Sequence, residues 1–480
     1  MNTTPLFRIF QLLALTGLLL LAAPATFVHA QGARKISFNE AVQIALERNV
    51  TIRRSRNTVD LQSVNVARER ADFYPNLNLS SNSTRNYGLS FDQTTGRTFS
   101  STSDNVSLSA NSSVNIFNGY ADVASLNQAK HTLESNEYTH DRTRQTVLFN
   151  VISNYLQVIL DHEQIRIRKE DLEAQNQQLT RIEEFTRVGA RPVSDLYQQQ
   201  ATVANSELQL LEARRQAQLS QIRLIQVLQL DPFQDYEFTA PAADEIDLTP
   251  QVYDPEQLLR SAFDSRPDLR AQEASIAASS EGIRFAKAGR LPTLSLSGGI
   301  GSRFSSQLRR ATTFDMVTDP VTGETSSVPT AFGTVPFGDQ FRDNRAENVG
   351  INIQIPIFNR LQTKTGIERA RVQYENARLD LENLQLTVAA EVRQAFLDYQ
   401  TAEKRLDVTD KQLRAAQQAL DVEQERYNVG ASTLVELTQA RSSYVQASSN
   451  RVQAVYQFHF QQRLVEYYQG VIDPSKPLFR

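Results

Sequence analysis

The stretch YNVGASTLVEL, Tyr427–Leu437, has a near double earlier in the chain, RVGARPVSDL, Arg187–Leu196, which sets Gly430 and Gly189 241 positions apart. The doubling extends outward from these turns. NIFNG (115–119) answers PIFNR (356–360) and aligns Phe117 with Phe358 at the same offset. ADFYPNLNLSSN (71–82) answers AGRLPTLSLSGG (288–299), but there Pro75 and Pro292 are only 217 apart. The 24 residues of difference therefore lie between the two strand-like segments of the second copy. A chain that repeats itself on this scale is one structural unit built twice.

Each copy, 31–245 and 246–480, reads in the same order. A helix comes first (38–72, then 254–290), followed by two strands, at about 75–91 and 105–117 in the first copy and 292–306 and 347–358 in the second. A very long helix follows (119–187, 361–427), then the glycine turn, then a last helix (194–230, 435–469). The segments 92–104 and 307–346 read as loops between strands.

The strands alternate. In NVSLSANSSVNIF (105–117) Val106, Leu108, Ala110, Val114 and Ile116 fall on one side, and Asn105, Ser107, Ser109 and Asn111 on the other. In NVGINIQIPIF (348–358) Val349, Ile351, Ile353, Ile355 and Ile357 share a face opposite Asn348, Asn352 and Gln354. Period two with small polar residues opposite suits a strand with lipid on one face and water on the other. The long helices are rich in Gln, Glu, Arg, Ala and Leu, with thin apolar stripes such as Leu384, Val388, Val392, Phe396 and Tyr399. Narrow stripes suit coiled-coil neighbours better than a thick core. At ~1.5 Å per residue the long helix spans about 100 Å, and the first and last helices stacked end to end match it. The strands then lie at one end of a rod and the glycine turns at the other. Four strands cannot close a barrel, and open edges are forbidden in lipid. Two copies would give 8 strands and three would give 12.

Residues 1–30 read as a secretory signal: Arg8, the apolar run LLALTGLLLLAAPA, and Val28-His29-Ala30 before Gln31. Without Arg8 the charge is about −5, which argues against nucleic acid as a partner. There is no cysteine, so no disulfide, no cysteine-held metal and no lipid on an N-terminal cysteine. The few histidines are scattered, and no phosphate-binding, dinucleotide or nucleophile-elbow motif is present, so no catalytic, cofactor or metal site is expected. Arg166, Arg168 and Lys169 read as a solvated helix face beside Glu163, Glu170 and Asp171, and Tyr467 and Tyr468 as packing residues.

The duplicated plan, YPNLNLS and LPTLSLS, the paired IFN strand ends and the two VGA turns together resemble the outer-membrane efflux protein (TolC) family, over about Ile36 to Val471. The resemblance implies a mainly α protein with a small membrane β part. Its long coiled-coil-like helical barrel would stand in the periplasm, with four strands per chain completing a homotrimeric 12-strand β-barrel in outer-membrane lipid. It implies the exit duct of a tripartite system, joined by a periplasmic adaptor to an inner-membrane transporter of RND or ABC type. The cargo would be small molecules such as drugs or metals. A type I protein secretion duct uses the same fold, and a soluble periplasmic coiled-coil adaptor is the reading from another class.

The resemblance also assigns residues. The turns Val188, Gly189, Ala190 and Arg191, and Val429, Gly430, Ala431, Ser432 and Thr433, would dock the adaptor. Tyr427 and Asp195 would close the periplasmic tip through a phenol-to-carboxylate hydrogen bond, and Glu436 would form an acidic ring. Asp195 and Glu436 each follow a turn glycine by six residues, where ordinary helix-start chemistry is the alternative account of an acid. Ser432 stands where the best-known members carry a basic residue, and Gln439 where a second acid of the ring would be.

Overall fold

The computed structural model describes residues 34–92, 96–239, 248–321 and 323–473. The signal expected at 1–30 lies outside them. The first copy comprises β1 (Arg34–Ile36), α1 (Phe38–Arg48), α2 (Val50–Ala71), β2 (Asn76–Asp92), β3 (Arg97–Phe117), α3 (Ala121–Arg187), α4 (Val193–Leu228) and β4 (Tyr236–Phe238). The second comprises α5 (Pro255–Ser265), α6 (Pro267–Ala288), β5 (Thr293–Ser305), β6 (Arg309–Thr318), β7 (Thr325–Thr334), α7 (Phe337–Asp343), β8 (Ala346–Gln354), α8 (Gln362–Asn428) and α9 (Leu434–Tyr468).

Both long helices have 67 residues, about 100 Å at the α-helical rise. α2 and α4 both pack on α3, and α6 and α9 both pack on α8, as end-to-end stacking requires. The first helix of each copy, expected to be continuous, is broken in two. In the second copy Pro267 disfavours helical geometry at the residue before it, and Arg266 sits at φ −72°, ψ 122°. In the first, Asn49 leaves the helix and its side chain accepts from the Thr51 N–H at 2.9 Å, a local cap that competes with helix continuation. At each break the two ends of the stack meet. Asn49 donates to the Val227 carbonyl at 3.1 Å, and Arg266 lies against Gly470.

β2, β3, β5 and β8 form one antiparallel sheet in that order, so β2 and β8 are its free edges. The register places Leu79 beside Ala110 and Ile300, and Val114 beside Leu296 and Ile351, on one apolar side. β8 stops at Gln354 because Pro356 cannot donate to a ladder. Two expected loops are not loops. β2 and β3 continue to the pair Asp92↔Arg97, and an ion pair between Arg85 and Asp104 lies across the extension. In 307–346, β6 and β7 form a separate hairpin, rich in Thr, followed by the short helix α7. Among the described residues no helix is long and apolar enough to cross a membrane.

Candidate functional site at the helical tip

The two turns that reverse the long helices are built alike. Past Val188, Gly189 N–H bonds the Thr186 carbonyl at 3.0 Å and Ala190 N–H bonds the Phe185 carbonyl at 2.8 Å. Past Val429, Gly430 N–H bonds the Tyr427 carbonyl at 3.1 Å and Ala431 N–H bonds the Arg426 carbonyl at 2.8 Å. These paired bonds satisfy the last carbonyls of α3 and α8, and they require a left-handed residue after the cap. Gly189 (φ 76°) and Gly430 (φ 77°) supply it. An added Cβ would meet nothing within 4 Å at either, so the backbone angle alone calls for glycine. Val188, Gly189, Ala190, Val429, Gly430, Ala431 and Thr433 are exposed, while Arg191 and Ser432 are half-buried.

The helices leave the turns differently. α9 begins with a full capping box: Thr433 Oγ1 accepts from the Glu436 N–H at 3.2 Å, and Glu436 Oε2 accepts from the Thr433 N–H at 2.8 Å. The Ser432 hydroxyl donates to Glu436 Oε2 at 3.0 Å and also to Glu423. Bonds from the Thr433 backbone and hydroxyl, then from Ser432, hold the Glu436 carboxyl below its ordinary range. Glu436 is therefore a helix-start residue in each chain, exposed and charged. α4 begins at Pro192 without a side-chain cap, and Asp195, half-buried, lies in its first turn.

Tyr427 is 5% exposed in a small apolar cluster with Ile182, Leu420, Leu434 and Leu437, which joins both copies. The hydrogen bond expected from its hydroxyl to Asp195 is not formed within the chain. That hydroxyl has no hydrogen-bond partner among the described residues, and Gln178 approaches it without bonding geometry. Burial raises the phenol above its usual pKa against the pull of Arg191, and the Asp195 charge adds to the rise. The contact that does join the turns is Arg191. Its guanidinium stacks 4.3 Å above the Tyr427 ring and donates to the Tyr427 carbonyl at 3.2 Å. The sequence reading had placed Arg191 in a docking turn and missed this partner, 236 positions away.

Among the described residues no group of acidic or histidine side chains could hold a metal ion.

The fold and both copies have counterparts among known proteins. The pyoverdine export outer membrane protein OpmQ of Pseudomonas aeruginosa is 26% identical over 355 residues, covering 72% of this chain and 65% of that protein. The chain thus spans just under two thirds of the OpmQ length. The outer membrane efflux protein BepC of Brucella suis is 22% identical over 429 residues, covering 89% of this chain and 84% of that protein. The Campylobacter jejuni CmeC outer membrane channel superimposes with a TM-score of 0.73 at 18% identity, over 92% of this chain and 87% of its own. The outer membrane protein VceC of Vibrio cholerae gives 0.71 at 18% identity, over 90% and 96%. The family described as Outer membrane efflux protein matches residues 41–228 and 258–465, one stretch for each copy of the unit. With most of both copies inside that match, the chain belongs to the outer membrane efflux protein family.

Proposed function

We propose that three copies of this chain form the exit duct of a tripartite efflux system that carries small molecules across the periplasm and outer membrane. Membership of the outer membrane efflux protein family supports the reading of a channel, with its helices in the periplasm, rather than an enzyme. The observation that carries the reading is the four-stranded sheet. One side exposes Leu77, Leu79, Val349, Ile351 and Ile353, which need lipid, and both edges are open, which lipid forbids unless further copies close the ring. Small-molecule cargo is favoured over a secreted polypeptide because OpmQ, by name, exports pyoverdine.

At the other end the exposed turns at 188–191 and 429–433 are the proposed contact for a periplasmic adaptor, which would link the duct to an RND or ABC transporter. Asp195 and Glu436 are the proposed acids of the constriction, with the Tyr427 ring, clamped by Arg191, as its brace. The experiment supplies the protein with an adaptor and pump to cells lacking their own duct and follows expulsion of a small fluorescent dye. Gly189→Leu or Gly430→Leu should stop expulsion while trimers remain in the outer membrane. Each forces a side chain into left-handed geometry, about 1–2 kcal/mol of local strain, too little to unfold a helical rod. Unchanged expulsion in both variants would remove the turns from the docking surface. Export of a co-expressed polypeptide without dye expulsion would favour the secretion duct.

A further inference from the structure

The second copy's added residues end in α7, and this helix takes the place of a strand. β8 is last paired to β5 at Ala346↔Gly301, yet β5 runs on to Ser305. The edge left there has polar backbone groups to satisfy. Gln340, 1% exposed, meets them: its amide accepts from the Ser305 N–H at 2.9 Å and donates to the Ser305 carbonyl at 3.0 Å and the Val335 carbonyl at 2.9 Å. The Ser302 hydroxyl donates to the Phe341 carbonyl at 2.6 Å, and Asn344 donates to the Arg303 carbonyl at 2.8 Å. α7 is thereby fixed in the line of the barrel wall.

Its orientation follows from the strand. Alternate residues of β5 share a side, so Phe304 stands with Ile300, Leu296 and Leu294 on the apolar side of the sheet. The Phe337 ring lies 5.0 Å from that of Phe304, and Phe341 stacks on Phe337 at 4.6 Å. Phe337 and Phe341 are one helical turn apart, while Asp339 and Asp343 fall on the opposite face. Those carboxylates are held by arginines: Arg310 and Arg342 reach Asp343 at 2.8 and 3.1 Å, and Arg342 reaches Asp339 at 3.2 Å. The aromatic stripe therefore continues the lipid-facing side, and the paired charges turn away from it.

Height decides what the stripe meets. From Leu294 to Phe304 the strand rises about 33 Å, or ~25 Å along the barrel axis at a tilt near 40°. That equals the apolar band of an outer-membrane barrel, whose ends carry aromatic girdles at the headgroup level. The lower end already has exposed rings, Tyr74, Tyr120 and Phe358.

We propose that α7 is a membrane-interface element whose rings Phe304, Phe337 and Phe341 seat in the boundary between headgroups and acyl chains of the outer leaflet. Its partner is lipid, not the channel lumen and not a second protein. The inference rests on the reading of the sheet as a lipid-embedded barrel wall.

The chain contains no tryptophan, so a single introduced one reports its own site. Phe341→Trp, or Phe337→Trp if that variant does not fold, would be reconstituted in phosphatidylcholine vesicles with bromine at the top or the end of the acyl chains. We expect blue-shifted emission that loses most of its intensity to bromine near the headgroup, little to bromine at chain ends, and little to iodide in the water. Ile351→Trp, beside Leu296 and within the apolar band, should be quenched by bromine on the lipid and not by iodide, and Val321→Trp, 90% exposed in the wild type, by iodide alone. A reporter at 341 quenched by iodide and not by lipid, with the one at 351 still quenched by lipid, overturns the interfacial helix and places α7 in the lumen or in open solvent. If the reporter at 351 also escapes lipid, the barrel reading itself falls, and the inference with it.

Discussion

Arg191 and Ser432 occupy equivalent places in the two turns and bond in different directions. Arg191 reaches across to the other copy and covers the Tyr427 ring, whereas the Ser432 hydroxyl turns back to Glu423 and Glu436 in its own hairpin. A guanidinium over a buried ring contributes about 1–2 kcal/mol, and the hydrogen bond to the carbonyl adds roughly another 1. Arg191→Ala should therefore loosen the tip and raise single-channel conductance in planar bilayers. Tyr427→Phe alone should conduct nearly as the wild type, since it keeps the ring and its hydroxyl has no hydrogen-bond partner among the described residues. Opening by Tyr427→Phe as large as that by Arg191→Ala would return the closing role to the hydroxyl. Gly189 and Gly430 were legible in the sequence because a turn glycine announces itself locally. The Arg191 contact was not, because it depends on how two hairpins far apart in sequence lie side by side.

Where α5 meets α6, the break carries a buried charge cluster. The Arg266 side chain, 3% exposed, bonds Asp268 at 2.6 Å and Glu391 at 2.6 Å, and Arg142 stands 3.6 Å from Asp268. Burial pushes the Asp268 carboxyl upward, but hydrogen bonds from Arg266 and the charges of Arg142 and Arg266 outweigh it, so its pKa lies below the ordinary value. A carboxyl depressed on folding stabilises above its unfolded pKa of about 3.9, and that contribution is lost as pH falls through the folded value. The midpoint of thermal trimer dissociation should hold from neutral pH down to about 4 and then drop. Asp268→Asn should lower it near neutral pH and flatten the drop, the two proteins converging in acid. The expected loss is on the order of 2 kcal/mol, less than for a fully buried pair, because Asp268 stays 23% exposed. A variant with the acid dependence of the wild type would show that other carboxylates set it. Neither break was read from the sequence: Pro267 carries a signal for this one that a continuous helix over 254–290 passes over, whereas Asn49, which breaks the first copy, looks like any helix asparagine. The long helices and the sheet strands were readable because each pattern repeats within a few residues. The β6–β7 hairpin was not, since its Thr and Ser residues present no clear apolar side.

A sheet with β2 and β8 both open cannot stand alone in lipid, so the whole molecule is an assembly. Purified in mild detergent, the protein should run by native mass spectrometry as a three-fold homotrimer. A single monomeric or dimeric species would refute that arrangement. Beyond assembly, the equal lengths of α3 and α8, 67 residues each, make the chain a measuring rod. Residues added between the strands leave the helices' length unchanged, as the second copy's extra hairpin illustrates. One residue added to α8 alone would move its turn by about 1.5 Å and rotate every later side chain by ~100°, out of step with α9 and with the other copy. The distance from barrel to tip can therefore change only by matched insertions in both copies, in long helix and stacked partners alike. That distance is a fixed gauge, and the pump and adaptor proposed as partners would have to be cut to it.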